Sequence, residues 1–344
     1  MSKAGVVILN WNGHIDTVSC IESIVEHEQN RHPIFLVDNG SQKQSIQYIE
    51  DWLNKHYVYP FIIISDDEFM KFADGDFDKI LYFIKSKKNL GFAKGNNIVW
   101  QKIWRIYDYV LLLNNDTVIT KGAITRMVQY LDNNPDTGAL SCDIRYYAKP
   151  DKLWNAGGYF TWYGDRKYYS QKKIDKLIKK NIEAIRTPFI TGCALMVPQK
   201  TTKIAGTFTE RFFFGEEDFN YCKKLLNNHI VSKTLLTSTI YHKVGTSLKK
   251  TQQDDVNGTI LHFSNRVINF KEFYGKRRWK IWRKFYIMLV YIKLHILIKD
   301  RKKVKKAINY IEYYTSKYDE ITYTTFQEII NLPKIEGRDK RLVR

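Results

Sequence analysis

Gly215-Glu216-Glu217-Asp218 places three carboxylates in a row behind an aromatic run, Phe212-Phe213-Phe214, and ahead of an apolar-patterned segment with Tyr221, Cys222, Leu225 and Leu226. Neighbouring like charges oppose one another's ionisation, and burial opposes it further. The aromatic run points to at least one carboxylate facing a walled cavity, where a raised proton affinity suits a general base. An acidic first helical turn, favoured by the helix dipole, accounts for the same residues without any chemistry.

The elements that must position these groups come from the first half of the chain. Gly5–Asn10, Pro33–Asp38, Tyr57–Ile64 and Tyr109–Leu113 read as buried strands. Segments near 14–27, 42–55, 94–106 and 121–133 read as helices, with Ile15, Val18, Ile21 and Val25 at helical spacing in the first. This alternation predicts an α/β protein, a mostly parallel sheet with helices on both faces. Ligands of such sheets sit beyond the carboxyl ends of the strands. The polar residues expected there are Asn10-Trp11-Asn12, Asp38-Asn39-Gly40-Ser41 and Asn114-Asn115-Asp116. Singly, each cluster is ordinary turn or cap chemistry; three clusters at three strand ends point to a site.

Other stretches add candidates. Asn89-Leu90-Gly91-Phe92-Ala93-Lys94-Gly95-Asn96-Asn97 is a glycine-containing loop whose amides open a helix and suit a phosphate. Pro188–Val197 reads as a strand, with a Thr191-Gly192 break that lets a ligand approach the backbone. His242 ends a β-patterned run. Trp154, Trp162 and Tyr163 suit stacking on sugar rings, although aromatic residues also build cores. Residues 65–88 read as an acidic insertion loop. Its Asp74, Asp76 and Asp78 begin a calcium-loop spacing that Lys79 and Lys85 break.

The bulk numbers set the limits. The chain has 344 residues, 44% of them hydrophobic, and a net charge of +19. Between Lys271 and Lys306 fourteen basic residues face two acidic ones, a net of +12 in that segment alone. Such a patch implies an anionic surface as partner. Trp279, Trp282 and Tyr286 share one helical face there and suggest aromatic anchors for an interfacial helix on anionic lipid. Nucleic acid is not expected, because no recognition motif accompanies the charge. The longest apolar run, Phe285–Ile298, carries Lys293 and His295 and is shorter than the ~20 residues of a bilayer span. Four scattered cysteines and no visible signal peptide suggest reduced thiols in the cytoplasm. No G-x-G-x-x-G follows the first strand and no P-loop is present, so a dinucleotide fold is disfavoured.

The ordered set VVILNWNG at 6–13, VDNGS at 37–41, NLGFAKGNN at 89–97, LLNND at 112–116, TGCALMV at 191–197, GTFTERFFFGEEDFNYC at 206–222 and HKVGTS at 242–247 resembles the bacterial family-2 glycosyltransferases. Within them it is similar to the rhamnosyltransferase-like branch of cell-surface polysaccharide assembly, a likeness that extends to Ser264-Asn265-Arg266. The resemblance implies a GT-A fold over residues 1–250 with a helical, basic C-terminal extension over 251–344. It implies inverting transfer from a UDP- or dTDP-linked sugar to a glycan or lipid-linked glycan, for O-antigen, capsule or lipooligosaccharide, at the cytoplasmic face of the inner membrane. Carried over residue by residue, it assigns Asn10, Asn12 and Asp38 to the base and ribose, and Gly91, Asn96, Asn97, Asn115 and Gly192 to the nucleotide sugar. Asp116 and His242 would hold Mn2+ or Mg2+, Asp218 would be the base and Glu217 its support. Asn114 stands where the common Asp-x-Asp motif has its first acid, and Asn220 where another Asp is frequent. A sugar nucleotidyltransferase, or a glycan- or nucleic-acid-binding module on the same fold, are the alternatives. The first would need a Gly-rich basic loop where Asn10-Trp11-Asn12-Gly13 stands, and the second would not turn over a donor.

Overall fold

The computed structural model describes residues 2–244, 256–298 and 300–333. These fall into two compact units, one within 1–208 and 221–247, the other within 209–220 and 248–344. The boundary expected at 250 lies outside the described residues, as do Gly245, Thr246 and Ser247.

The first unit is built on one mixed sheet. Its strands are β1 (Ala4–Asn10), β2 (Ile34–Asn39), β3 (Phe61–Ser65), β4 (Leu81–Ser86), β5 (Tyr109–Asn114), β6 (Thr117–Ile119), β7 (Thr137–Tyr146), β8 (Lys149–Asn155), β11 (Ala184–Arg186), β12 (Ala194–Pro198) and β13 (Val231–His242). The order β3-β4-β2-β1-β5 is parallel throughout. Beyond β5 the sheet turns mixed: β12 runs antiparallel to β5 and β7, and β13 is parallel to β7. β11 and β6 add antiparallel to β13, and β8 to β7. A separate hairpin joins β9 (Gly158–Phe160) and β10 (Arg166–Tyr168). The helices are α1 (His14–His27), α2 (Lys43–His56), α3 (Asp66–Phe69), α4 (Phe92–Ile103), α5 (Ala123–Asn133), α6 (Gln171–Lys179), α7 (Gln199–Ala205) and the later part of α8 (Glu217–Asn227).

The physical cause of the parallel half is visible in its strands. Val6, Val7 and Ile8, and Ile34 through Val37, are unbroken apolar runs, as strands covered on both faces must be. Ile8 sits in register between Leu36 and Leu113, at the centre of the core. The chain leaves β1 towards β2 on one side and meets β5 on the other, so the strand order reverses at β1. That is where an open α/β sheet leaves a crevice.

Residues 65–88 are not an insertion loop. They contain α3, opened by a capping box between Ser65 and Glu68, and the buried strand β4, paired on both sides. Leu81-Tyr82-Phe83-Ile84 follows closely on Asp74, Asp76 and Asp78, which hid a strand fully buried at those four positions. Two other strands start late: β3 begins at Phe61, and β12 at Ala194, after the Thr191-Gly192 turn.

In the second unit α9 (Val256–Phe273), α10 (Lys276–Ile298), α11 (Arg301–Lys317) and α12 (Tyr323–Ile330) follow one another. Asp300 caps α11 through Lys302 and Lys303 amides, and Thr322 caps α12 through Thr325. Helix α9 is buried along most of its length, so its polar residues must find partners within the unit. The aromatic run expected to wall a cavity packs here instead. Phe212 is buried, and Phe213 meets Tyr323 and Phe326 at 5.0 and 4.9 Å between ring centroids. The aromatic face of α10 also turns inward rather than towards lipid. Trp282 stacks on Phe270 at 4.2 Å and on Tyr286 at 4.7 Å, and Trp279 donates its indole N–H to the Val267 carbonyl at 2.9 Å. Stacking on buried α9 takes Tyr286 out of water and half-buries Trp279 and Trp282.

Candidate active site

The polar ends of β1, β2 and β5 form one hydrogen-bonded network in the first unit. Asn10 donates its side-chain amide to Asp38 Oδ1 at 2.8 Å, and its own oxygen accepts from Gly13 N and from Thr17 Oγ1. Asp38 Oδ2 accepts from Ser41 N at 2.9 Å. Asn115 donates to Thr17 Oγ1 at 2.9 Å. Asp38, Asn10, Thr17 and Asn115 are thus linked in sequence across three strand ends. At Gly13 a Cβ would lie 2.7 Å from Asn115 Nδ2, so a side chain there would push the Asn115 amide aside. Asn12 adopts φ +54°, which asparagine tolerates. Its backbone N–H donates to Ser41 Oγ, and its Oδ1 accepts from Gln42 N. Burial pushes the Asp38 carboxyl up, while hydrogen bonds from Ser41 and Asn10 pull it down, leaving it above its ordinary value.

The second strand end also holds the glycine loop in place. Asn39 donates to Asn89 Oδ1 and to the Gly91 carbonyl, and accepts from Leu90 N. Gly40 turns at φ +69° against the backbone of Lys88 and Asn89, where a Cβ would come within 2.3 Å. Gly91 precedes α4 and donates its N–H to Asn89 Oδ1. Asn96 and Asn97 are buried: Asn96 donates to the Phe92 carbonyl, Asn97 to the Phe208 carbonyl. Gly192 lies in a buried turn whose next residue, Cys193, accepts from Asn114 N at 2.9 Å, so it borders the end of β5.

Asp116 and His242 meet although 126 residues separate them. His242 Nε2 lies 2.9 Å from Asp116 Oδ1, both side chains being nearly buried. β6 pairs with β13 so that His242 stands opposite Thr117, which fixes this approach. Trp154 packs edge-on against the His242 ring at 4.3 Å, and His242 Nδ1 is buried with no hydrogen-bond partner. Lys243 donates its backbone N–H to the Asp116 carbonyl and pairs through Nζ with Asp16 at 3.1 Å. Two donor atoms ~3 Å apart match adjacent corners of an octahedron with ~2.1 Å bonds, so a carboxylate and an imidazole here fit a hard or borderline divalent cation. Among the described residues no cluster of three or more His, Cys, Asp or Glu side chains exists, so among them Asp116 and His242 are the pair that would hold such an ion. The nearby thiols are no nucleophiles. Burial pushes Cys20 up to about 12 and Cys193 well above 9.

The acidic turn belongs to the second unit. Gly215 and Glu216 both take positive φ, +88° and +74°, and Glu217 and Asp218 then open α8. A non-glycine residue in that region costs ~1–3 kcal/mol and needs outside support. Arg266 supplies it: Nε and Nη2 reach Glu216 Oε2 and Oε1 at 2.6 and 2.7 Å, with both side chains removed from water. Asn269 donates to Glu216 Oε2 at 3.1 Å, Asn265 donates to the Phe214 carbonyl at 2.9 Å, and the Arg266 guanidinium lies 3.7 Å over the Phe219 ring. Asn220, where an Asp is frequent, is fully buried and donates to Asn269 Oδ1 and Glu272 Oε2, both at 2.8 Å. A carboxylate could donate neither bond when ionised. Of the three acids, Glu216 shapes the turn, Glu217 is buried and Asp218 is half-buried.

Sequence reasoning named Asn10, Asp38, Asn115, Asp116 and His242, and the fold brings these together as one network and one pair. It passed over Thr17, which joins Asn10 to Asn115, and did not pair Glu216 with Arg266. The need of a buried carboxylate for a cation was the available signal for Arg266.

A family model described as Glycosyl transferase family 2 matches residues 6–202. Among solved structures the fold is similar to GalNAc-T7 with UDP, GalNAc and Mn2+, with a TM-score of 0.58 at 13% identity, covering 95% of this chain and 56% of that one. The chain therefore spans little more than half of that protein. It is also similar to the mannosyltransferase PcManGT from Pyrobaculum calidifontis in complex with GDP-Man and Mn2+, with a TM-score of 0.51 at 12% identity, covering 92% of this chain and 86% of that one. At these identities the likeness is one of fold. No curated protein matches the sequence at a significant level. With the family model covering more than half of its length and the sheet built as described, the chain belongs to glycosyl transferase family 2.

Proposed function

We propose that the protein is an inverting, metal-dependent hexosyl- or deoxyhexosyltransferase. It moves a sugar from a UDP- or dTDP-linked donor to a hydroxyl of a glycan or lipid-linked glycan, in surface polysaccharide assembly at the cytoplasmic membrane face. The observation that carries this reading is the Asp116–His242 pair, beside the Asn10–Asp38–Thr17–Asn115 network at the carboxyl ends of the strands. Asn10, Asn12 and Asp38 hold the base and ribose. The Gly91–Asn97 loop, Asn115 and Gly192 border the ribose and diphosphate. Asp116 and His242 hold a divalent ion, Mn2+ or Mg2+, which when bound supplies positive charge to the leaving diphosphate. Asp218 takes the acceptor hydroxyl proton as that oxygen bonds to the anomeric carbon and the bond to the diphosphate breaks, with Glu217 beside it.

The test is release of nucleoside diphosphate from a panel of sugar nucleotides, with manganese and with chelator. Chelator-sensitive release from one donor is expected, abolished in Asp116→Ala. Asp218→Asn is expected to lower turnover by ~10²–10⁴-fold with donor binding retained. Release indifferent to chelator and to both substitutions overturns the assignment.

A further inference from the structure

The inward turn of Trp282 and Tyr286 leaves another side of α10 open, and that side carries its own pattern. Ile281, Met288, Ile292 and Ile296 are 74%, 50%, 49% and 67% exposed. At helical periodicity they fall within an arc of about 80°. Four large aliphatic side chains in one exposed stripe on a single helix are more than the scattered apolar residues of an ordinary surface.

Beside the stripe lies a groove of about 750 Å3, lined by Lys276, Lys280 and Lys284, by Tyr274 and Trp279, and by Ile281, the first residue of the stripe. The three lysines recur at one-turn spacing and have no acidic partner among the described residues. Asp319, the acid in the groove, is already paired with Lys271 at 2.6 Å. An apolar stripe continuous with an uncompensated lysine row offers hydrocarbon on one side and cations on the other. The surrounding segment carries a net +12. An apolar protein partner would match the stripe but leave the lysines unanswered. An anionic bilayer answers both, the lipid phosphates meeting the lysines and the acyl boundary meeting the aliphatic side chains. Among the described residues no helix is long and apolar enough to cross a membrane, so contact is along the helix rather than through the bilayer.

We propose that this face of α10 is the surface by which the protein lies on an anionic bilayer. Ile281, Met288, Ile292 and Ile296 enter the acyl boundary, and Lys276, Lys280 and Lys284 hold lipid phosphates in the groove. The assignment rests on the reading of 271–306 as membrane-facing and gives that reading a face, the aliphatic stripe with the lysine groove beside it, in place of the aromatic one.

The test is co-sedimentation of the full chain with vesicles of phosphatidylglycerol and phosphatidylcholine, against vesicles of phosphatidylcholine alone. Wild type is expected to bind the anionic vesicles and to be released by salt. Replacing the four stripe residues by Ser is expected to weaken binding at least ~tenfold. Replacing the three lysines by Gln is expected to weaken it by roughly fivefold for each charge removed. A fluorophore on Met288→Cys should shift to the blue with anionic vesicles, which tests the face in a chain with only one position changed. No binding by wild type overturns the membrane reading as a whole. Binding unaffected by the stripe variant, or no shift at position 288, overturns this face and leaves membrane contact elsewhere. Binding that ignores the lysine variant overturns the phosphate groove.

Discussion

Asp38 and Glu216 are both nearly removed from water, one in each unit, and the chain satisfies them by opposite means. Asp38 is surrounded by neutral donors, the amide of Asn10 and the backbone N–H of Ser41. Glu216 is held by a fully buried guanidinium, with Asn269 as a third donor. Neutral donors leave a carboxyl free to exchange partners, because replacing one hydrogen bond by another changes little. A buried ion pair is a fixture: neither charge can move without stranding the other. The first arrangement suits a place that admits a polar ligand, the second a place where backbone geometry must not change. Glu216 lies just ahead of Asp218, in a turn with two consecutive positive φ angles, and that geometry is what the ion pair protects.

The contrast can be broken most severely at Arg266. Arg266→Met strands the Glu216 carboxylate and should lower stability by about 3–5 kcal/mol in denaturant unfolding, whereas Arg266→Met combined with Glu216→Gln should recover part of the loss. A double variant as unstable as Arg266→Met would show that packing, not charge, holds the turn. Asn10→Ala removes a neutral donor from Asp38 and an acceptor from Thr17, and should cost about 1–3 kcal/mol by the same measurement. A loss as large as that of Arg266→Met would erase the distinction between the two sites.

The smallest effect concerns pH. Burial holds the Asp38 carboxyl above its ordinary value of 3.8, so the folded chain keeps a proton that the unfolded chain releases. Its contribution to stability therefore falls as pH climbs from 3.8 through the raised value, and then levels off. Asp38→Asn should remove that part of the slope when unfolding midpoints are compared across the window. An unchanged slope would mean that Asp38 is ionised wherever the fold persists.

Much of the first unit was legible because its signals are local. Unbroken apolar runs such as Val6-Val7-Ile8-Leu9 can be little else than covered strands, and polar residues directly after them must lie at strand ends. β4 escaped because its apolar run, Ile80–Ile84, comes directly behind Asp74, Asp76, Asp78 and Lys79, whose charges dominate the stretch. Its status as an internal strand comes from pairing with β2 and β3, not from its own pattern. The meeting of Asp116 with His242 could be suspected from family resemblance alone, since the register of β6 on β13 is what sets their separation.

By itself the sequence determined the alternation of strands and helices, the polar clusters at the strand ends, the acidic turn and the concentration of positive charge in 271–306. These depend on residue type and spacing within a few turns of chain. Only the tertiary structure decided that Glu216 would meet Arg266, because the two lie fifty residues apart. It also decided which side of α10 faces the interior. Trp279, Trp282 and Tyr286 on one side and Ile281, Met288 and Ile292 on the other are both apolar enough to be buried. A helix with two apolar sides is oriented by the partner that can take one of them, here the stacked ring of Phe270 on α9.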